Sequence, residues 1–97
     1  MALFARLTAS DSTKISVHAF SASLREWSRG AIARQNVIDA FALVGSDVTE
    51  LDAIATTYQG LPDDGAKGRY LVKIHDVFLL CEAGLYGQAK AKSELGF

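Results

Sequence analysis

Two histidines and one cysteine are the side chains in this chain of 97 residues best suited to catalysis or metal binding. His75 and Cys81 fall in one predicted helix, where a separation of six residues turns the side chains about 240° apart around the axis. Because a thiol nucleophile needs its base within hydrogen-bonding distance, this pair does not predict a thiol–imidazole site. Cys81 lies in the apolar run of residues 77–81 and is predicted to be a small, unreactive core residue.

The histidines also raise the question of a metal site. His18 and His75, taken with Asp76 or Glu82, offer nitrogen and oxygen ligands, but their spacing matches neither HExxH nor CxxC. We therefore expect both histidines to be partly buried and hydrogen bonded. Glycine-rich phosphate loops and convergent acid, base or nucleophile sets are missing from the sequence. The sequence thus predicts a protein that is not an enzyme, with no metal, no cofactor and no small-molecule substrate.

Charge and composition narrow the class of protein further. Ten basic and eleven acidic side chains give a formal net charge of −1. Nucleic-acid binders usually carry a basic excess because neutralising phosphates supplies most of their affinity. The single cysteine rules out a disulfide within one chain, and no apolar run approaches the length needed to cross a bilayer. We expect a protein that is made and kept in a cytoplasm. DNA is an unlikely partner, and we expect no association with a membrane.

The stretch of residues 69–86 is the most apolar part of the sequence and the element that others must surround. A stripe of apolar residues recurs there at three- and four-residue steps: Leu71, Ile74, Phe78, Cys81 and Leu85. Such spacing is typical of one face of a helix. Val77 and Leu80 widen the stripe until most of the circumference is apolar. This pattern predicts a central helix near residues 66–83 that its neighbours enclose on most sides.

Four shorter helices are predicted around it, at about residues 17–29, 33–42, 48–59 and 88–95. Ser16 is a suitable N-cap for the first of them, and Gly30 is suited to end it in a left-handed conformation. Asp47 and Glu50 form a capping box that would start the third. Links between these helices are short. The predicted fold class is therefore all-α, a compact five-helix bundle or array.

Residues 1–16 differ from the rest, so the predicted division is an N-terminal arm of residues 1–16 and a single helical domain of residues 17–97. Leu3, Phe4 and Leu7 could form a short extended segment, followed by a polar run. A lone short strand is not stable by itself. The segment is therefore a flexible arm, a segment that lies on the helical body, or a strand that pairs with another subunit.

A helix–turn–helix is the main competing interpretation, formed by the second and third predicted helices. The helix that would enter the major groove should carry Arg, Lys, Asn or Gln. Residues 49–59 contain no basic side chain, and residues 34–52 hold one basic and four acidic side chains. One variant would instead use Arg34, Gln35 and Asn36 as base readers, helped by Arg25 and Arg29.

Five segments together resemble small proteins of tailed bacteriophages over residues 17–97. They are VHAFSASLREWSRG (17–30), RQNVIDAF (34–41), TELDAI (49–54), HDVFLLCEAGLY (75–86) and SELGF (93–97). The resemblance implies a virus-encoded helical protein that is part of the virion, such as a neck, tail, fibre-attachment or capsid-decorating subunit. It implies no particular functional residues.

The sequence therefore predicts two candidate functions. The first is a phage structural or assembly protein that acts by protein–protein contacts with other virion proteins or with copies of itself, and that reaches the virion after synthesis in the host cytoplasm. The second is a small regulator or adaptor that binds DNA or a host protein. Aromatic and apolar side chains are favoured at protein interfaces. The candidate interface residues are Leu3, Phe4, Leu7, Trp27, Tyr58, Tyr70 and Tyr86, and the alternative for each aromatic residue is that it packs internally.

Overall fold

A computed structural model describes residues 3–97 and contains six helices within that range. They are α1 (Leu3–Leu7), α2 (Val17–Ser28), α3 (Arg34–Ala40), α4 (Ser46–Gln59), α5 (Asp64–Glu82) and α6 (Gln88–Glu94). The part of the chain that the structure describes forms no strand. The predicted all-α class is confirmed, and α1 is the helix that the sequence patterns did not predict. None of these helices is both long and apolar enough to cross a membrane.

Helix α5 is the central element, as predicted, and packs against α1, α2, α4 and α6. Its N-cap is Asp63, whose Oδ1 accepts a hydrogen bond of 2.7 Å from the Ala66 backbone N–H. The buried side chains of α5 occupy one face: Tyr70, Ile74, Val77, Phe78 and Cys81.

The expectation that neighbours enclose α5 on most sides is wrong, because its burial is confined to that face. Leu71, Leu79 and Leu80 are half-buried. Val72 is 61% exposed, and Leu85, which lies beyond the end of the helix, is 73% exposed. The apolar pattern overestimates burial because an apolar side chain at the surface is common and costs little.

Helix α2 begins and ends where the sequence predicts. The Ser16 hydroxyl accepts a hydrogen bond from the Ala19 N–H, and Gly30 follows the C-cap with a φ of +75°. Its core stripe of Val17, Phe20 and Leu24 is buried, and α2 packs against α5 and α3. The capping and stripe signals are local, which is why sequence alone locates this helix.

The N-terminal segment is not the extended arm expected from the sequence. Residues 3–7 form helix α1, and its apolar side chains lie in the core: Leu3 is 0%, Phe4 1% and Leu7 0% exposed. The Phe4 ring packs edge-on against Phe78 at 5.5 Å and against Phe97 at 5.8 Å. Of the three alternatives, the structure shows a segment that lies on the helical body, and it belongs to the same core as the rest.

Arg6 fixes α1 to the turn between α3 and α4. Its guanidinium donates to the carbonyl oxygens of Thr13 (2.8 Å), Phe41 (2.7 Å) and Ala42 (3.3 Å). Nη1 also pairs with Oδ2 of Asp47 at 3.1 Å. A five-residue helix is unstable by itself, so these tertiary bonds and the burial of its apolar face hold it.

Asp47 and Glu50 do not form the predicted capping box of α4. The helix begins at Ser46, with Gly45 as its N-cap. Asp47 is 2% exposed and binds Arg6 and the Val44 N–H (3.3 Å) through Oδ2. Oε1 of Glu50 accepts a hydrogen bond from the Phe4 N–H at 3.4 Å. The carboxylates predicted to cap α4 therefore anchor α1, because both face inward in the first turns of α4.

Candidate protein-binding surface

The residues predicted as interface anchors divide into buried and surface groups. Leu3, Phe4 and Leu7 lie in the core, and Tyr70 is only 8% exposed. The Tyr70 hydroxyl donates to the Leu95 carbonyl at 3.0 Å, which joins α5 to α6. The prediction that these four residues lie at an interface is wrong, because their apolar surface is buried within the fold. The other three, Trp27, Tyr58 and Tyr86, are half-buried.

Trp27 and Tyr58 line the same groove, which we call the apolar groove. It is formed by residues of α2, α4 and α5, chiefly Leu24, Trp27, Ile54, Tyr58 and Leu71. Leu24 and Ile54 are buried, whereas Trp27, Tyr58 and Leu71 remain partly open to solvent. The groove exists because α2 and α4 each pack against α5 but are not packed closely against one another.

A cation lies beside the Tyr58 ring of the apolar groove. The Lys67 Nζ is 5.6 Å from the ring centroid, within the range of a cation–π interaction. This contact restrains the Tyr58 ring from the side of α5, and the ring remains partly exposed to solvent. Such an amphipathic ring, already restricted in its motion, binds a partner with little further loss of conformational entropy.

A second groove lies next to the first and shares Ser28 and Leu71 with it. Its other lining includes Arg25 of α2, Arg29 at the C-cap of α2 and Val72 of α5, and we call it the basic groove. Both arginines are exposed, and neither forms an ion pair with any carboxylate of residues 3–97. The two grooves together present apolar and positively charged surface along the α2–α5 seam.

The sequence patterns identified individual residues of this surface but did not predict that they line the same groove. Trp27 ends the apolar stripe of α2, and Tyr58 ends that of α4, so each could be assigned to the core or to the rim. Their proximity across α5 depends on tertiary packing, which single-helix periodicity does not encode. The sequence alone assigns Arg25 and Arg29 only a supporting role in the DNA-reading variant, not a role beside Trp27.

Tyr86 is not part of either groove. It lies in the link between α5 and α6, where the Lys90 Nζ is 5.5 Å from its ring centroid. The structure therefore separates Tyr86 from Trp27 and Tyr58, although the three residues had been grouped on the basis of residue type.

The side chains of the alternative DNA-reading site already have partners. Arg34 forms a two-bond pair with Asp52, each bond 2.8 Å long. This pair raises the pKa of Arg34 through its hydrogen bond to Asp52. The Gln35 amide donates to Asp39, and Oδ1 of Asn36 accepts from the Ala33 N–H at the start of α3. Reading bases would require breaking these bonds.

The two histidines and Cys81 are the remaining residues whose chemistry could serve catalysis or metal binding. His18 and His75 face each other across α2 and α5, with His75 Nε2 at 3.3 Å from His18 Nδ1. Cys81 is 2% exposed, and burial raises the pKa of its thiol. Raising that pKa lowers the thiolate fraction, so a buried thiol of this kind is a poor nucleophile. Residues 3–97 contain no group of three or more His, Cys, Asp or Glu side chains arranged to hold a metal ion.

Comparison of the sequence with protein-family models, with curated proteins and with solved structures finds no match in any of the three. The resemblance to tailed-phage proteins therefore stays a prediction from the sequence.

Proposed function

We propose that this chain is a non-enzymatic assembly protein that binds another protein through the apolar groove. In the setting that the phage resemblance implies, it is a structural component of a bacteriophage virion, incorporated after synthesis in the host cytoplasm. Its partner is another virion protein or a further copy of the chain. The proposed function requires no cofactor and no small-molecule substrate.

One observation carries this proposal: Trp27 and Tyr58 are both half-buried and line the same open, mainly apolar groove. Tryptophan and tyrosine are enriched among the residues that dominate binding energy at interfaces. A side chain inserted between them would gain contact with buried Leu24 and Ile54 and would exclude water from both rings. The groove is thus suited to one apolar or aromatic anchor from a partner.

The adjoining basic groove supports a partner that also carries acidic side chains. Arg25 and Arg29 have no carboxylate partner within residues 3–97, so pairing them does not require breaking an internal bond. Charge complementarity of this kind increases association rates and selects among partners more than it adds affinity. We therefore propose a partner segment with an apolar anchor followed by acidic residues.

Incorporation into particles tests the proposal directly. Particles of the encoding phage, grown with each variant supplied in place of the natural chain, are purified and the copy number of the protein is measured by quantitative mass spectrometry. The double variant Trp27→Ala/Tyr58→Ala is expected to be incorporated at least tenfold less than the natural chain, because each truncation at an interface anchor costs about 2 kcal/mol or more. The matched control is Val44→Ala/Leu85→Ala, which truncates two exposed side chains outside both grooves.

Two outcomes would contradict the proposal in different ways. Particles that lack the natural chain would show that it is not a virion component. Particles that contain the double variant at the natural copy number would show that the apolar groove is not the interface. Thermal unfolding of each variant, measured beforehand, separates loss of binding from loss of folding.

The regulator alternative has weaker support. Hydrogen bonds within the chain already engage Arg34, Gln35 and Asn36. The regulator alternative therefore depends mainly on Arg25 and Arg29. A salt titration of binding to duplex DNA distinguishes the two functions. Micromolar or tighter binding with a steep salt dependence would favour the regulator, since phosphate contacts release counterions.

A further inference from the structure

His18 and His75 form a pair that neither groove nor the proposed function explains. His18 belongs to α2 and is exposed, whereas His75 belongs to α5 and is half-buried. Their ring centroids are 5.2 Å apart, with the ring planes tilted by 48°. The two nitrogens that face each other, His18 Nδ1 and His75 Nε2, are 3.3 Å apart.

That nitrogen–nitrogen distance matches a shared metal ion. Zinc binds imidazole nitrogen at about 2.0–2.1 Å in tetrahedral geometry, which puts two bound nitrogens about 3.3–3.4 Å from one another. A hydrogen bond between the rings is also compatible with 3.3 Å, although the usual length in proteins is about 2.9–3.0 Å. The helices therefore already hold both nitrogens at the spacing that a tetrahedral ion requires.

The Asp76 carboxylate lies close to the histidine pair. Its Oδ1 is 3.8 Å from Nδ1 of His75, the ring nitrogen on the other side from His18. This distance is too long for a hydrogen bond, and the negative charge favours a cation bound nearby.

We propose that His18 and His75 form a two-histidine site for one divalent transition-metal ion such as Zn²⁺, Ni²⁺ or Cu²⁺. Imidazole nitrogen is a preferred ligand of these ions, whereas Mg²⁺ and Ca²⁺ prefer oxygen. Because no third protein ligand is arranged nearby within residues 3–97, water or a partner's side chain completes the coordination. The ion joins α2 to α5 at the edge of the basic groove, which His75 also lines.

Calorimetric titration of the full chain with ZnCl₂ at pH 7.5 tests the site, with MgCl₂ as the control titrant. The natural chain is expected to bind one Zn²⁺ per molecule and to show no saturable binding of Mg²⁺. Because both nitrogens hold the same ion, His18→Ala and His75→Ala should each lower the affinity about as much as the double variant does. The expected loss is at least the roughly 10–100-fold that follows removal of a supporting outer-shell group. Asp76→Asn should lower the affinity less than either histidine substitution.

A thermal measurement gives a second readout. Zn²⁺ should raise the melting temperature of the natural chain, an effect that EDTA reverses, because an ion that binds only the native state stabilises it. The proposal is overturned if the natural chain binds no Zn²⁺ at 1:1 stoichiometry. It is equally overturned if the single variants bind Zn²⁺ like the natural chain, since binding would then use one histidine alone. Melting temperatures without metal show that each variant is folded, and the result does not depend on whether the apolar groove binds a partner.

Discussion

The guanidinium of Arg6 donates to three backbone carbonyls and pairs with Asp47, in a part of the core that few charged side chains could occupy. The side chains of Arg6 and Asp47 are 11% and 2% exposed. A buried pair of charges is stable only when hydrogen bonds satisfy most of its polar atoms. Arg6 meets this condition, whereas Oδ1 of Asp47 has no hydrogen-bond partner among the described residues. The pair thus specifies how α1 meets the α3–α4 turn.

Replacing Arg6 by methionine should destabilise the protein severely. The Asp47 carboxylate would stay buried without its cation, and removing one member of a buried pair typically costs about 3–5 kcal/mol. The free energy of unfolding, measured by urea denaturation at pH 7, should fall by about this amount. The matched control is Arg34→Met, which removes the cation of the exposed Arg34–Asp52 pair and should change stability far less. Equal effects of the two substitutions would contradict this account of Arg6.

Glu50 should make stability depend on pH in a defined direction. Burial raises its pKa above the ordinary value of a glutamate, which is about 4.3. The native state therefore binds the proton more tightly than the unfolded state does. This contribution to stability is fully present below the unfolded pKa and is lost as pH rises through the higher native pKa.

The substitution Glu50→Gln tests this direction. The amide keeps an oxygen that can accept from the Phe4 N–H but carries no charge at any pH. Relative to the natural chain, the variant should gain stability as pH rises from 4 to 7, and the two chains should converge at the acidic end. Urea denaturation at a series of pH values measures the difference. Parallel curves for the two chains would show that Glu50 is not the group responsible.

Among the helices, α1 is the one that the sequence did not predict, and the reasons are physical. Five residues make less than two turns, which is too short for helical periodicity to differ from a short strand. Its stabilising partners, Asp47 and Glu50, lie more than forty residues further along the chain, where they also fit a local capping box. By contrast, α2 and α5 carry N-caps and long stripes of their own, so local signals located them.

Truncation of Leu7 should show that α1 belongs to the core. Leu7 is 0% exposed, and Leu7→Ala is expected to reduce the free energy of unfolding by about 2–5 kcal/mol. The matched control is Leu85→Ala at a side chain 73% exposed, where a change within about 0.5 kcal/mol is expected. Similar effects of the two substitutions on urea denaturation would mean that α1 is not part of the folded core.

At the scale of the whole molecule, the core contains buried side chains from all six helices and leaves the two grooves open at the surface. The sequence predicted the class of fold and the central helix from composition and periodicity. It could not predict the apolar groove, because the distance between Trp27 and Tyr58 depends on how α2 and α4 sit on α5. For the same reason, the meeting of His18 and His75 was not visible in their spacing along the chain.

Cys81 can report on the integrity of this core as a whole. Its thiol is 2% exposed, so it should react with Ellman's reagent only when the molecule opens. The native chain is expected to react slowly, and the rate should rise with urea in step with global unfolding. The double variant Cys81→Ala/Val44→Cys, which moves the thiol to an exposed turn position, should react at once. Fast reaction of the native chain would mean that the core opens locally around α5.

The contact of Phe4 with Phe97 has a consequence for how the chain is made. Helix α1 is synthesised before the rings and helices that cover it, which lie in α4, α5, α6 and at Phe97. Its apolar face must therefore stay uncovered, or be shielded by a chaperone, until residues 46–97 have emerged. We expect α1 to reach its final packing in one late step, after Phe97 has been synthesised.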